Sequence, residues 1–594
     1  MASSHIRPAD GHIQGKWAVW FVAGFFLLML LPRITDVLAG WIPGADDLMR
    51  LQQIRDLLDG QGWFNVDQTR MLTPEGGDMH WSRLPDLFIA AFILLTEPVL
   101  GRDLAEALAI GLWPILLLAA AFTFLTLIMR RLQINRAGQV FGLICFATSA
   151  AVYNFWPGRI DHHGLVVVLT LGGLVAVLSP GLTGRSGAIL ALSIASMLTI
   201  ALESLPYVAG LIAIKGLFWI VRGHREGVRL ATFGLALMVF ATGYYLFDAP
   251  GLGAGRVACD AYGNSHWAGF MLGGGLLALL GVFGGALETW SSRLIAGAMA
   301  GAATLSVIYL VNPGCLADPY ANVSDAVRVS WLSMVGEAKP LSTLWAEEPG
   351  RVVWVFGFLA TASLATAGMV VSSTDAQRTA RVGIALLFTL SVITTIWQIR
   401  GQSFSHVFAA IGAAWLAGAL FSRWREAGGV QPLLVFVAGV LLLSPITWEQ
   451  VSAQVPSRLP SSKNMACIHP DAYTDLADRA PMRLHAPIIL GSSLIARTPH
   501  TVLAGPYHRN IEGIDRSNAV LIGPVDEAHA RLLDMGATHL VFCKGLRETT
   551  RYGEIWPDGL AAQLNQDQLP DWLEPADTLA ETDGVVRLYR VKPE

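Results

Sequence analysis

The sequence predicts an α-helical polytopic membrane protein that carries an α/β domain at its C-terminal end. Three observations predict it. Of 594 residues, 53% are hydrophobic and only 14% charged, where soluble domains hold about 25% charged residues. Apolar runs recur along the chain, each near the roughly 17–25 residues that cross a bilayer. After Ile446 the composition turns to that of a soluble domain.

The segment Met1 to Lys16 is polar and lacks a small-residue cleavage site, so no removable signal peptide is expected. Thirteen spans follow, near 17–38, 106–128, 138–156, 164–180, 186–203, 206–221, 230–248, 267–287, 294–311, 352–371, 382–399, 404–421 and 431–447. Phe88 to Leu95 is too short to span and reads as an interfacial or re-entrant piece. With the N-terminus inside, Arg130, Arg131, Arg136, Arg185, Arg222, Arg225, Arg229, Arg293, Arg378, Arg381, Arg423 and Arg425 all fall on the inner side. That is the positive-inside pattern. The outer side receives loops 40–86 and 312–351, the shorter Asp248–His266 loop, and everything after 450. The expected domains are thus a membrane domain, 1–450, and an outer domain, 451–594. A net charge of −4 gives no basis for a nucleic-acid partner.

Ser457 to Lys463 reads as a linker. Beyond it, Pro487–Leu490, Thr501–Leu503, His539–Phe542 and Val585–Tyr589 read as strands, and Asp526–Met535 as a helix stopped by Gly536. Cys259, Cys315, Cys467 and Cys543 lie on the outer side, where disulfides persist. Cys259 with Cys315 is the expected pair, with free buried thiols as the alternative.

Candidate chemistry clusters at the outer membrane face. The turn Tyr153–Gly164 contains Arg159, Asp161, His162 and His163, and ionisable groups so near hydrocarbon are functional candidates by default. The plainer reading is a polar turn with Arg159 pairing Asp161. Asp46 and Asp47 follow the first span, where either can cap the helix after them. The run Pro74–Pro85, with His80, can hydrogen-bond a polar ligand. Glu203 ends a span, where a tight capped turn also explains it. Glu337 lies in a long outer loop, a kind of segment that is often functional. Arg400 ends another span; it is suited to bidentate phosphate binding, or to anchoring at the interface. Tyr507, His508, Arg509 and Asn510 form a polar turn after a short strand, a ligand surface or a turn satisfied by itself. Asp46, Asp161, Glu337 and Arg400 at one level suggest a divalent cation with oxygen ligands holding a phosphorylated substrate.

These stretches resemble the GT-C superfamily of polyprenol-dependent glycosyltransferases, most of all the catalytic subunit of oligosaccharyltransferases. Ala45-Asp46-Asp47 with Pro74-Glu-Gly-Gly is similar to the family's first-loop acid and turn. Gly158-Arg-Ile-Asp161-His162-His163 is similar to its second acidic motif. Ser333-Met-Val-Gly-Glu337-Ala-Lys-Pro340-Leu-Ser-Thr-Leu-Trp345 is similar to its external-loop motif, and Arg497–Asn510 to the segment after its Trp-Trp-Asp. The resemblance implies a GT-C fold with about thirteen transmembrane helices and a periplasmic C-terminal domain, in a bacterial inner membrane with the N-terminus cytoplasmic. It implies Asp46, Asp161 and Glu337 as catalytic residues, and the same three with His163 as ligands of a divalent cation, Mg or Mn. The resemblance also implies Arg400 as the ligand of the donor's phosphate, and the residue types of their own turns add His508, Arg509, Tyr507 and His80 as expected substrate- or phosphate-binding residues. The partners implied are a polyprenyl-linked sugar donor, membrane lipid and a periplasmic acceptor. Two departures stand out: His163 replaces a carboxylate, and Leu490-Gly-Ser-Ser-Leu494 stands where Trp-Trp-Asp is expected. A glycan, lipid or protein acceptor is therefore open, with a divergent protein N-oligosaccharyltransferase as the alternative. A glycolipid transporter or flippase is the rival of another class.

Overall fold

The computed structural model describes residues 34–72, 76–181, 183–248, 259–316, 323–458, 465–578 and 586–593, with Gly24, Phe25 and Leu28 of the first apolar run. Most of that first run, Pro74, Glu75 and linker residues 459–463 lie outside the described residues.

Helices occupy the other twelve expected runs. The first outer loop carries α1 (Ala45–Leu58) and α2 (Leu84–Leu100). The helices that follow are α3 (Arg102–Arg131), α4 (Arg136–Ala147), α5 (His163–Val177), α6 (Gly184–Ile200), α7 (Leu205–Arg222), α8 (Gly227–Phe247), α9 (Asn264–Phe283), α10 (Trp290–Val311), α11 (Pro349–Val371), α12 (Asp375–Trp397), α13 (Gln402–Ala427), α14 (Val430–Leu442) and α15 (Pro445–Ser452). Among the described residues seven helical stretches are long and apolar enough to cross a membrane, and α14 with α15, bent by 63°, makes an eighth if taken as one span.

One of the seven, Leu202–Phe247, has 46 residues. At about 1.5 Å per residue it is roughly twice as long as the ~30 Å hydrocarbon core. It is a hairpin. Gly223 at φ 62° turns the chain between α7 and α8. Its ends lie on the outer-loop side, where Trp63 donates to the Phe247 carbonyl at 2.6 Å and Ser82 to Asp248 at 2.8 Å. Its middle lies at the other end, where Arg229 donates to the Ala176 and Val177 carbonyls at 3.0 Å. Two antiparallel helices of 18 and 21 residues result.

The run 138–156 is helical only to Ala147. Thr148 and Ser149 then bond back to the Ile144 and Phe146 carbonyls at 2.8 and 3.0 Å, and the chain tightens into a 3₁₀ turn over Ala150–Phe155. Helices α8 and α9 come close at Gly234 and Gly274, where a Cβ on either would strike the facing carbonyl. Small residues permit such contacts in lipid. The stretch expected to be interfacial is longer than its apolar run suggested: α2 has 17 residues. It folds back on the first half of α3, with Phe88 stacked on Trp113 at 5.7 Å and Arg102 beside Glu97.

The outer domain holds a five-stranded sheet in the order β2-β1-β3-β5-β4 (β1 Arg483–His485, β2 Thr501–Val502, β3 His539–Cys543, β4 Leu573–Thr578, β5 Val586–Val591). β2, β1 and β3 are parallel, while β5 and β4 are antiparallel. The expected strand Pro487–Leu490 is instead a helical turn, Ile488–Leu490, leading into the helix Gly491–Arg497. A short buried apolar run fits either state. The expected helix spans Val525–Asp534 and ends before Gly536, φ 65°. β4 was not anticipated.

The first outer loop belongs to this domain's core. Leu72 donates to the Val502 carbonyl, and Val502 to the Arg70 carbonyl, both at 2.9 Å, which extends the sheet at its β2 edge. Met49, Met71, Met79 and Trp81 pack with Leu484, Leu494, Val541 and Leu588 in one apolar cluster. Cys259 is bonded to Cys315 and Cys467 to Cys543, while Cys145 is a buried free thiol.

Candidate active site

Gly158 adopts φ 93° and packs against Trp41 and Pro43, so the turn before Asp161 fits no side chain there. The turn brings Arg159 back onto α1. Its Nη1 donates to Asp47 Oδ2 at 2.6 Å and its Nη2 to Asp161. The Asp161 amide donates to Asp47 Oδ1 at 2.8 Å. Asp47 therefore does not cap α1: the N-cap is Gly44, with no side-chain cap bond. The plain reading of the turn, Arg159 pairing Asp161, is realised, but as half of a buried three-residue clasp. Burial would raise the Asp161 carboxyl, yet Arg159 and His163 hold it well below the usual carboxylate range.

Asp46 is half-buried at the wall of a cavity, and no hydrogen bond or ion pair among the described residues holds its carboxylate. Burial, then Glu337 and Asp161, push it above its ordinary pKa. The cavity, about 250 Å³, is lined by Asp46, His80, His162, His163, Glu203, Asp260, Glu337, Arg400, Tyr507 and His508 among others. Glu203 joins three of its lining side chains. Its Oε1 lies 3.4 Å from His162 Nε2 and 3.3 Å from His163 Nε2, and its Oε2 accepts from Arg400 Nη1 at 2.9 Å. His163 Nδ1 meets Asp161 at 3.1 Å, so one imidazole joins the clasp to the cavity.

The Glu337 loop is pinned to the turn before α13. Arg400 and Ile399 donate their amides to the Glu337 and Lys339 carbonyls, both at 3.0 Å, and Arg400 Nη2 lies 3.5 Å from Glu337 Oε1. Arg400 thus spans two carboxylates at the cavity.

The turn after β2 does face the membrane domain. Tyr507 donates to the Ala45 carbonyl at 3.2 Å and shares a hydrogen bond with Ser492 at 2.7 Å. His508 Nε2 lies 2.6 Å from Asp260 Oδ2. Arg509 does not line the cavity. Its guanidinium clamps both Asp260 oxygens at 2.8 and 2.7 Å and reaches Asp78 at 3.2 Å. Arg509, expected to bind substrate or phosphate, is thus engaged by two carboxylates and by the Met79 carbonyl at 3.4 Å. His80 stacks edge-on against His508 at 4.5 Å, and burial, then His508, lower its pKa to about 3.

Two groups of ligand atoms lie within 4.8 Å of one another among the described residues: His162, His163 and Glu203, and His80, Asp260 and His508. Asp46, Asp161, His163 and Glu337, the expected ligands, do not form such a set among the described residues, and Asp161 is turned onto Arg159. Asp46 and Glu337 nonetheless share the cavity with the first group. A divalent cation fits this wall: a carboxylate without a partner, two further acids and two imidazoles are hard and borderline ligands.

A second cavity, about 420 Å³, opens on the other side of Asp46 and Glu337. Its walls include Ile488, Ile489, Leu546 and Arg547 of the outer domain. The two acids stand between the two cavities.

Reading the sequence missed Glu203 as the hub, Asp47 as the clasp and Asp260 as the partner of the roof. A carboxylate closing a span at the outer face was the available signal for Glu203.

No protein-family model and no curated protein matches the chain. Solved structures do. The oligosaccharyltransferase AglB of Archaeoglobus fulgidus, in complex with an inhibitory peptide and a dolichol-phosphate, superposes with TM-score 0.66 at 12% identity, over 92% of this chain and 72% of that one. The same organism's enzyme with Zn and sulfate gives 0.62 at 11%, over 91% and 69%. Tethered to an acceptor peptide containing an NVT sequon, it gives 0.64 at 10%, over 93% and 72%. At these identities the likeness is one of fold.

Proposed function

We propose that this chain, with the GT-C fold of polyprenol-dependent glycosyltransferases, is itself a multi-pass membrane glycosyltransferase of the inverting type. In this reading it takes a sugar or oligosaccharide from a polyprenyl phosphate or diphosphate and passes it to an acceptor outside the cytoplasm. The observation that carries the reading is the cavity where Asp46, Glu203 and Glu337 meet Arg400 and two imidazoles, at the membrane face and beneath an outer domain. Thirteen crossings, a membrane domain 1–450 and a periplasmic domain 451–594 in a bacterial inner membrane complete the reading.

Arg400 receives the donor's phosphate, and Glu203 holds the guanidinium in place from behind. His80 and His162 add donors on the same wall. Asp46, facing both cavities, accepts the proton of the incoming nucleophile. The nucleophile attacks the anomeric carbon from the face opposite the phosphate. The carbon–oxygen bond to phosphate breaks, the polyprenyl (di)phosphate leaves with the electron pair, and the configuration inverts. Asp46, Glu203, Glu337 and His163 would hold a divalent cation, Mg or Mn, which supplies charge neutralisation for the leaving phosphate. Asp161 acts one step back, by orienting His163.

The acceptor reading follows from the helix at Gly491–Arg497. Where the sequon-reading motif is expected, Ser492 and Ser493 are buried and Ser492 is bonded to Tyr507. This supports a glycan or lipid acceptor over a protein sequon.

The test incubates purified full-length protein in nanodiscs with the lipid-linked sugar fraction of its own host. Mass spectrometry of released polyprenyl (di)phosphate and of the product glycoside reads the outcome. Release by the wild type and none by Asp46→Asn supports the reading. Lipid translocation without cleavage would turn it into the transporter.

A further inference from the structure

We propose that His80, Asp260 and His508 bind a borderline-soft divalent ion of the Zn²⁺ kind, at a site separate from the acids around Asp46. Their ligand atoms lie within 4.8 Å of one another. Two imidazoles and one carboxylate are a donor set suited to zinc and poorly suited to magnesium. His80 Nδ1 is buried and has no hydrogen-bond partner among the described residues. A buried polar atom left alone beside two other ligands calls for an explanation, and an ion supplies one.

The site is built from three distant parts of the chain. His80 comes from the first outer loop and His508 from the outer domain. Asp260 stands next to Cys259, whose bond to Cys315 ties its loop to the end of α10. Arg509 grips Asp260 from outside, as partners of ligating carboxylates commonly do. Its positive charge opposes an ion, but Asp78 at 3.2 Å balances that charge. Asp260 and Asp78 against Arg509 leave the cluster one negative charge before any ion arrives. The ion takes the place of the hydrogen bond between His508 Nε2 and Asp260, with the single proton of the neutral His508 imidazole on Nδ1. With three protein ligands, a fourth position stays open toward the cavity that His80 and His508 line. There the ion would meet an oxygen of the bound ligand and would clamp the roof to the membrane domain.

The experiment uses full-length protein in nanodiscs, stripped with EDTA and titrated with ZnCl₂ under excess MgCl₂. Bound zinc is counted by elemental analysis after desalting, and its ligands are read by X-ray absorption. The wild type should keep an equivalent of zinc bound by imidazole nitrogens. That equivalent should vanish in His80→Ala and His508→Gln but persist in Glu203→Gln, which touches only the other group. If an alanine variant fails to fold, Asp260→Asn, which keeps the side chain's shape, is the second arm. Zinc retained in all three roof variants, zinc lost only in Glu203→Gln, or no zinc in the wild type overturns the proposal. None of these outcomes depends on glycosyl transfer.

Discussion

Asp46 and Asp47 are neighbours in the chain and opposites in the fold. Asp47 takes the Arg159 guanidinium at 2.6 Å and the Asp161 amide at 2.8 Å. Asp46, one residue earlier on α1, turns its carboxylate to the cavity with no partner among the described residues. One helical step, about 100° around the axis, separates a structural acid from a chemical one.

Their amides should therefore differ in kind. Asp46→Asn should leave the chain inserted and monodisperse while lowering kcat about 100-fold or more, the scale of losing one electrostatic contact at a reacting centre. Asp47→Asn should lower the unfolding temperature. Equal unfolding temperatures for the two variants would undo the distinction.

Removing Arg159 should be costlier still. Arg159→Ala leaves Asp47 and Asp161 buried without their counter-charge, a change that costs about 3–5 kcal/mol when a buried pair loses one partner. Chemical unfolding in micelles, compared with Arg159→Lys, measures it. A loss under about 1 kcal/mol, typical of an exposed pair, would contradict the buried clasp.

The raised pKa of Asp46 sets a pH dependence. Between the unfolded value near 3.9 and its higher folded value, the folded chain holds a proton that the unfolded chain has released. Stability from this group is full below that window and is lost as pH rises through it. In EDTA the unfolding temperature of the wild type, measured relative to Asp46→Asn, should fall as pH climbs out of the acid range. Mn²⁺ should flatten that relative fall. A wild-type slope unchanged by Mn²⁺ would detach the cation from Asp46.

Arg400 and Glu203 should behave as a unit. Arg400→Ala should weaken donor binding, and Arg400→Lys should restore only part, because an ammonium cannot reach both Glu203 and Glu337 as the planar fork does. Glu203→Gln combined with Arg400→Ala should cost less than the sum of the two single changes. Strict additivity in binding measurements would separate them.

The helices of the apolar region were legible because their runs are long and arginines flank every second connection between them. What escaped was decided by partners far along the chain. Pro487–Leu490 is apolar enough for a strand or a buried helix, and only the packing of Ile488 and Leu490 decided between them. Leu573–Thr578 has few β-branched or aromatic residues, and β5 alone makes it a strand. Glu203 looked like a turn residue because its partners, His162, His163 and Arg400, lie some 40 and 197 residues away. Arg509 looked free for phosphate because Asp260 stands 249 residues before it. Side-chain type was readable; side-chain occupancy was not.

The strand-like segment at Met71 that borders β2 has a consequence for how the chain is made. Synthesis delivers the first outer loop early, with Met71, Met79 and Trp81 ready to pack and nothing yet to pack against. Their partners, Leu484 to Leu588, emerge last, after every membrane helix has been inserted. The outer core therefore closes as a clasp between the chain's beginning and its end, and a nascent chain must keep its apolar first loop shielded until then. A chain stopped after α15 should insert but stay a client of chaperones, and the outer domain made alone should lack one wall of its own core.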